Sequence, residues 1–135
     1  AQNTDSPYNK QLADSLGADE YGMKQYVLVI LKTGSSQITD KTILDSLFAG
    51  HMQNIIKLSK QGKLVVSGPI TKKNDNNYRG IFIFNVTTFE EAKALLEADP
   101  AVKEKVLNAE LYQWYGSAAL PLYVPFHDNI QLKKF

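Results

Sequence analysis

The sequence contains no cysteine. Thiolate catalysis, cysteine-ligated metal and a disulfide scaffold are therefore excluded. Histidine is scarce: the 135 residues hold two, His51 and His127, too few for a histidine-rich metal site. Long apolar runs are missing. The longest, Tyr26 to Leu31, falls far short of the ~18 residues of a membrane-spanning helix, so no membrane insertion is expected. An excess of charge of one sign is missing too. The formal net charge is +1, which argues against a nucleic-acid binder that works through bulk charge. No Gly-x-Ser-x-Gly elbow, phosphate loop, dinucleotide fingerprint or metal-ligand cluster is present. Neither a metal nor an organic cofactor is expected.

What is there fits one soluble domain. Hydrophobic residues make up 44% and charged residues 21%, and a domain takes roughly 150 residues. The charge is unevenly spread. Residues 1–22 hold four acidic side chains (Asp5, Asp14, Asp19, Glu20) against Lys10. Residues 23–115 hold twelve basic and nine acidic ones. This pattern reads as an acidic arm (1–22), a mildly basic domain (23–115) and a carboxy-terminal arm (116–135), and it suits a small anionic ligand better than nucleic acid. The chain begins at Ala1 rather than Met. Ala1-Gln2-Asn3 suits the mature end of an exported protein after removal of a signal peptide, so a periplasmic or secreted location is expected, with the cytoplasm as the alternative.

Along the chain, Leu12, Ala13 and Leu16 at helical spacing predict a short helix packed on the surface. Gln25 to Leu31 is β-branched and apolar on both faces, which predicts a buried strand. Thr39 or Asp40 can cap a helix running to about Gln61. Its apolar stripe is Leu44, Leu47, Phe48, His51, Met52 and Ile55. Leu64 to Ser67 predicts a second strand and Gly80 to Val86 a third. Asn74 to Asn77 form the turn before the third strand. Thr88 with Glu91 matches a capping box. Asp99-Pro100 breaks that helix and starts a short new one. Ala109 to Tyr115 predicts a fourth strand. The order β-α-β-β-α-β, with right-handed crossovers, predicts an α+β, ferredoxin-like fold: a four-stranded antiparallel sheet with the helices on one face. The other sheet face is apolar as well. With no spare element to cover it, a second copy of the chain is the expected partner.

His51 is the informative residue. A histidine on an apolar stripe needs partners for its ring nitrogens. It is either a core histidine bonded to a backbone carbonyl, or a general acid or base at the edge of a pocket. Asp99 caps a helix and needs no other explanation. It also lies in phase with the inner face of its helix, seven residues after Ala92, where it can approach His51. A carboxylate on one imidazole nitrogen fixes the tautomer and makes the other nitrogen more basic. Ser67, Gly68 and Pro69 are a strand stop or a pocket lining. Arg79 is surface charge or part of a cationic cover over an anionic substrate. Trp114 is core, dimer interface or an aromatic pocket wall. His127 is expected on the surface.

Four spaced motifs then resemble the YciI-like (YCII-related) family. They are Gly50-His51-Met52-Gln53 through Gly62 to Pro69, Arg79-Gly80-Ile81-Phe82-Ile83-Phe84, Glu90-Glu91-Ala92 through Asp99-Pro100, and Tyr112-Gln113-Trp114. The likeness covers about Met23 to Tyr115. It implies a subunit that pairs into a dimeric α/β barrel. It also implies a His–Asp site at His51 and Asp99, and places the family's Gly-Pro turn at Gly68-Pro69. Most members of the family have no known reaction; one branch dechlorinates a chlorinated hydroxyhydroquinone, and related barrels include muconolactone isomerases. The resulting expectation is an enzyme without a cofactor. Its His51–Asp99 pair would move a proton on a small cyclic or anionic substrate, giving isomerisation or elimination. The alternative is a non-catalytic, ligand-binding homodimer of the cell envelope.

Overall fold

The computed structural model of the protein describes residues 7–135. The Ala1-Gln2-Asn3 segment, on which the expectation of export rests, lies outside them. The strands are β1 (Met23–Thr33), β2 (Leu64–Pro69), β3 (Tyr78–Phe84) and β4 (Leu107–Ser117). Helix α1 (Lys10–Leu16) precedes β1, and α2 (Lys41–Lys60) links β1 to β2. Helices α3 (Phe89–Glu97) and α4 (Pro100–Lys103) link β3 to β4. The sheet order is β2-β3-β1-β4, and every neighbouring pair is antiparallel. This is the ferredoxin-like βαββαβ fold.

Local chemistry sets the helix starts. The Asp40 carboxylate accepts from the Ile43 amide at 3.1 Å and opens α2. The Thr88 hydroxyl oxygen accepts from the Glu91 amide at 3.1 Å and opens α3. Each satisfies a donor that the first helical turn leaves unpaired. Strands β1 and β4 run past the apolar cores of their sequences. Their polar ends stay in the ladder because each residue from Met23 to Thr33 has a partner between Ser117 and Leu107.

Strand alternation divides the core in two. Val27, Val29, Leu31, Phe82 and Phe84 face the helices and pack with Leu58, Ala92, Leu96 and Ala101. Tyr26, Val65 and Ile83 face the other way. On this second face the expectation that the chain has no spare element is corrected. After β4 the tail forms a 3-10 turn (Leu120–Tyr123) and helix α5 (Val124–Ile130). Leu120 and Val124, four residues apart, pack on Tyr26, Val65 and Ile83. The Tyr26 hydroxyl donates to the Ser117 carbonyl at 2.7 Å, and the Tyr123 hydroxyl donates to the carbonyl of Val65. The two prolines in this stretch hid the helix from a periodicity reading. Both sit in the first turn of their elements, where the missing N–H costs nothing.

Helix α1 forms with none of its residues fully buried; Ala13 and Leu16 are half-buried and Leu12 is exposed. The turn after it is held by Asp19, whose carboxylate accepts from the amides of Tyr21 and Met23 at 2.9 Å each and from the Tyr115 hydroxyl. The Tyr115 bond, followed by the backbone bonds, holds the Asp19 carboxyl below its ordinary pKa. A depressed carboxylate stabilises the fold above its unfolded value, about 3.9, and that contribution is lost as the pH falls through the folded value. Asp19→Asn is therefore expected to lower stability near neutrality, to flatten the acid limb of a stability-against-pH curve, and to change little below the folded value. Urea denaturation from pH 2 to 7 measures this.

Candidate functional site

Helix α2 and helix α4 lie on the same side of the sheet. Asp99 is the N-cap of α4: its Oδ1 accepts from the Ala101 amide at 3.0 Å. The cap fixes the carboxyl and leaves Oδ2 free. That oxygen lies 2.5 Å from Nδ1 of His51, which projects from the middle of α2. The Asp99 side chain is 0% exposed and the His51 side chain 12%. An ionised carboxylate only accepts, so opposite one Nδ1 is the donor, and in a neutral imidazole the lone pair is then on Nε2. Nε2 makes no hydrogen bond among the described residues, and no wholly buried side-chain nitrogen there is left without one. Nε2 therefore meets solvent.

Two phenylalanines orient the imidazole. Phe82 on β3 stacks on it at 5.8 Å between ring centres and 27° between planes. Phe48, one turn earlier in α2, meets it edge-on at 6.2 Å and 86°. Sequence reading placed both as core and missed this contact. The available signal was the spacing of Phe48, three residues before His51 on the same stripe.

Arg79 reaches this side through a β-bulge. Leu31 lies opposite Gly80, but Lys32 lies opposite Tyr78, so Arg79 is the extra residue. Tyr78 follows Lys32 to the other face, and the Arg79 guanidinium centre stands 5.9 Å from the Phe48 ring centre. Bulges re-aim side chains in this way. Arg79 forms no ion pair among the described residues. Ser67 lies opposite Phe82 and Pro69 opposite Gly80. Directly opposed residues share a face, so both stand on the His51 side, at the β2 edge.

Gly68, opposite Ile81, has no side chain and lies between Ser67 and Pro69 at the β2 edge. One expected residue is not brought to the site. Trp114 lies opposite Tyr26 and packs on it at 5.7 Å, with its ring folded over Gly116. The alternation that sends Val27 and Val29 to the helices sends Tyr26, and with it Trp114, away from His51. Trp114 does not form a pocket wall beside His51. His127 is exposed in α5.

Two clefts of about 600 and 520 Å³ run along β4 beside α3 and α4. They share Val102 and Asn108, and neither touches His51, Asp99, Ser67 or Arg79. Among the described residues no group of three or more His, Asp or Glu side chains could hold a metal ion, and no helix is long and apolar enough to cross a membrane.

No curated protein matches the chain significantly. A solved structure that does match is 5-chloro-2-hydroxyhydroquinone dehydrochlorinase from Burkholderia phenoliruptrix AC1100, in complex with 2,5-dihydroxybenzoquinone. It is 19% identical, covers 65% of this chain and 92% of its own, and superposes with a TM-score of 0.46. The family model for the YCII-related domain matches residues 24–114, more than half of the chain. The match takes in α2, the Asp99 cap and the strands between them, and the chain belongs to the YCII-related family.

Proposed function

We propose that the protein is an enzyme that works without a cofactor and uses His51 to move a proton on a small, planar, anionic substrate. The observation that carries this is the His51–Asp99 contact: a fully buried carboxylate 2.5 Å from Nδ1, with Nε2 open to solvent. In this arrangement Asp99 orients the ring and steadies the imidazolium that forms when Nε2 takes a proton. The half-buried Phe48 ring beside the imidazole favours a flat, cyclic substrate. Arg79 supplies a cation for its anionic group, and Ser67 a hydroxyl at the β2 edge. A proton taken from a carbon acid and returned elsewhere is isomerisation. A proton taken with loss of a neighbouring halide is elimination, which the family's dechlorinating branch favours.

The partner expected from sequence, a second copy of the chain, also belongs to this reading. The tail covers the Tyr26–Ile83 patch, while Tyr112 (47% exposed) and Trp114 (36%) stay partly open on the same face. We propose that a homodimer covers them.

The test is a panel of hydroxylated cyclic acids and chlorinated hydroxyphenols, followed by ultraviolet absorbance and halide release. The expected result is turnover by the natural protein and a loss of about 10²–10⁴-fold in His51→Gln. Ligand binding without turnover, unchanged in His51→Gln, would instead support the non-catalytic binding protein.

A further inference from the structure

The residue before His51 touches the residue after Asp99. Gly50 lies inside α2, where glycine is the poorest helix former except proline. A Cβ built on it would stand 2.7 Å from Cγ of Pro100 and 3.4 Å from its Cβ and Cδ. Carbon atoms do not approach to 2.7 Å. The proline ring is rigid and sits at the first position of α4, so it cannot swing aside as a flexible side-chain tip would. Pro100 follows the capping Asp99 directly, and its ring position is tied to that cap.

We infer that Gly50 and Pro100 act as a spacer that sets the His51–Asp99 distance. The absent side chain at Gly50 lets α2 settle against the Pro100 ring, and this approach brings Nδ1 to Oδ2. Both are positioning residues. Neither touches a substrate, and both act through His51. A methyl group at Gly50 pushes α2 off α4 by a few tenths of an ångström or more. The hydrogen bond between the two helices then lengthens, although both of its members are intact. This inference rests on the proposed role of His51 only for its effect on turnover. Its structural part stands alone.

Helix propensity and the spacer oppose each other in sign, which makes the test decisive. Propensity alone makes Gly50→Ala stabilising. The spacer makes it destabilising and specific to the imidazole. The experiment compares Gly50→Ala, Pro100→Ala and the double variant, using thermal melting and imidazole ¹H–¹⁵N spectra of selectively labelled histidine. In the natural protein a strongly downfield Nδ1 proton is expected for His51. Gly50→Ala is expected to melt earlier and to lose that resonance. The double variant, with the ring removed, is expected to regain it. If Gly50→Ala proves too unstable to study, recovery of fold and resonance in the double variant still supports the spacer. An unchanged resonance in Gly50→Ala, or a double variant that fails to recover it, overturns the inference. If the protein turns over no substrate the proposed function fails, while these spectra still decide the spacer.

Discussion

Asp99→Asn is expected to leave the protein folded and to lower turnover by about 10²–10⁴-fold, the usual contribution of a positioned general base. The asparagine oxygen can still accept from the Ala101 amide, as Oδ1 does at 3.0 Å, so the cap on α4 is kept. Its NH₂ group then faces His51. An NH₂ donates, so Nδ1 must accept, and the imidazole proton moves to Nε2. The nitrogen open to solvent ceases to be a base. Stability falls by about 1 kcal/mol, the difference between a charged hydrogen bond and the neutral one that replaces it. Asp99→Ala loses more: the cap as well, about 0.5–2 kcal/mol. The separation of effects is the point of the pair. A structural aspartate would make the two variants differ mainly in melting temperature. An orienting aspartate makes both inactive while Asn stays the better folded. Melting curves and turnover measured on both variants distinguish these.

Phe82→Ala is expected to have the largest effect on stability. Phe82 is 2% exposed and packs on Phe84 at 5.5 Å as well as on His51 at 5.8 Å. Truncating a buried phenylalanine costs about 3–5 kcal/mol. For a domain of this size that corresponds to a fall of roughly 10–20 °C in melting temperature. The imidazole also loses the ring that holds its plane, so turnover falls beyond what the folded fraction explains. Ile83→Ala is the control. It lies next in the strand but faces Tyr26 and the tail. It should cost about 2–5 kcal/mol and leave the rate per folded molecule unchanged. Calorimetry with rates corrected for folded fraction measures both.

Much of the fold was legible because its signals are local. Asp40 and Thr88 cap where cap chemistry places them. The apolar strands fall between turn residues such as Asn74, whose side chain accepts from the amides of Asn76 and Tyr78. The His51–Asp99 approach was readable as a possibility from phase: both residues fall on inward faces of helices that the βαββαβ order puts on one side. What escaped reading depends on register. A single extra residue at Arg79 sends its side chain towards Phe48 and that of Tyr78 the other way. No periodicity reports a bulge. The alternatives for Trp114 stay open in the sequence for a related reason: its face follows from the partner it meets across the ladder, Tyr26, and this removes only the pocket wall. The tail reads as an arm ordered over a surface, and it is one; its helical turns escape periodicity because they are short and each holds a proline in its first turn.

The central claim is that Nε2 of His51, set by Asp99, takes and returns a proton. Deuterium exchange tests it most directly. A planar cyclic acid with an acidic C–H is incubated in D₂O with the natural protein, with His51→Gln and with Asp99→Asn, and label uptake is followed by proton NMR. The expected result is rapid uptake with the natural protein and uptake near the uncatalysed rate with both variants. Uptake at the same rate with all three proteins, for a ligand shown to bind beside Phe48 and Arg79, would contradict it.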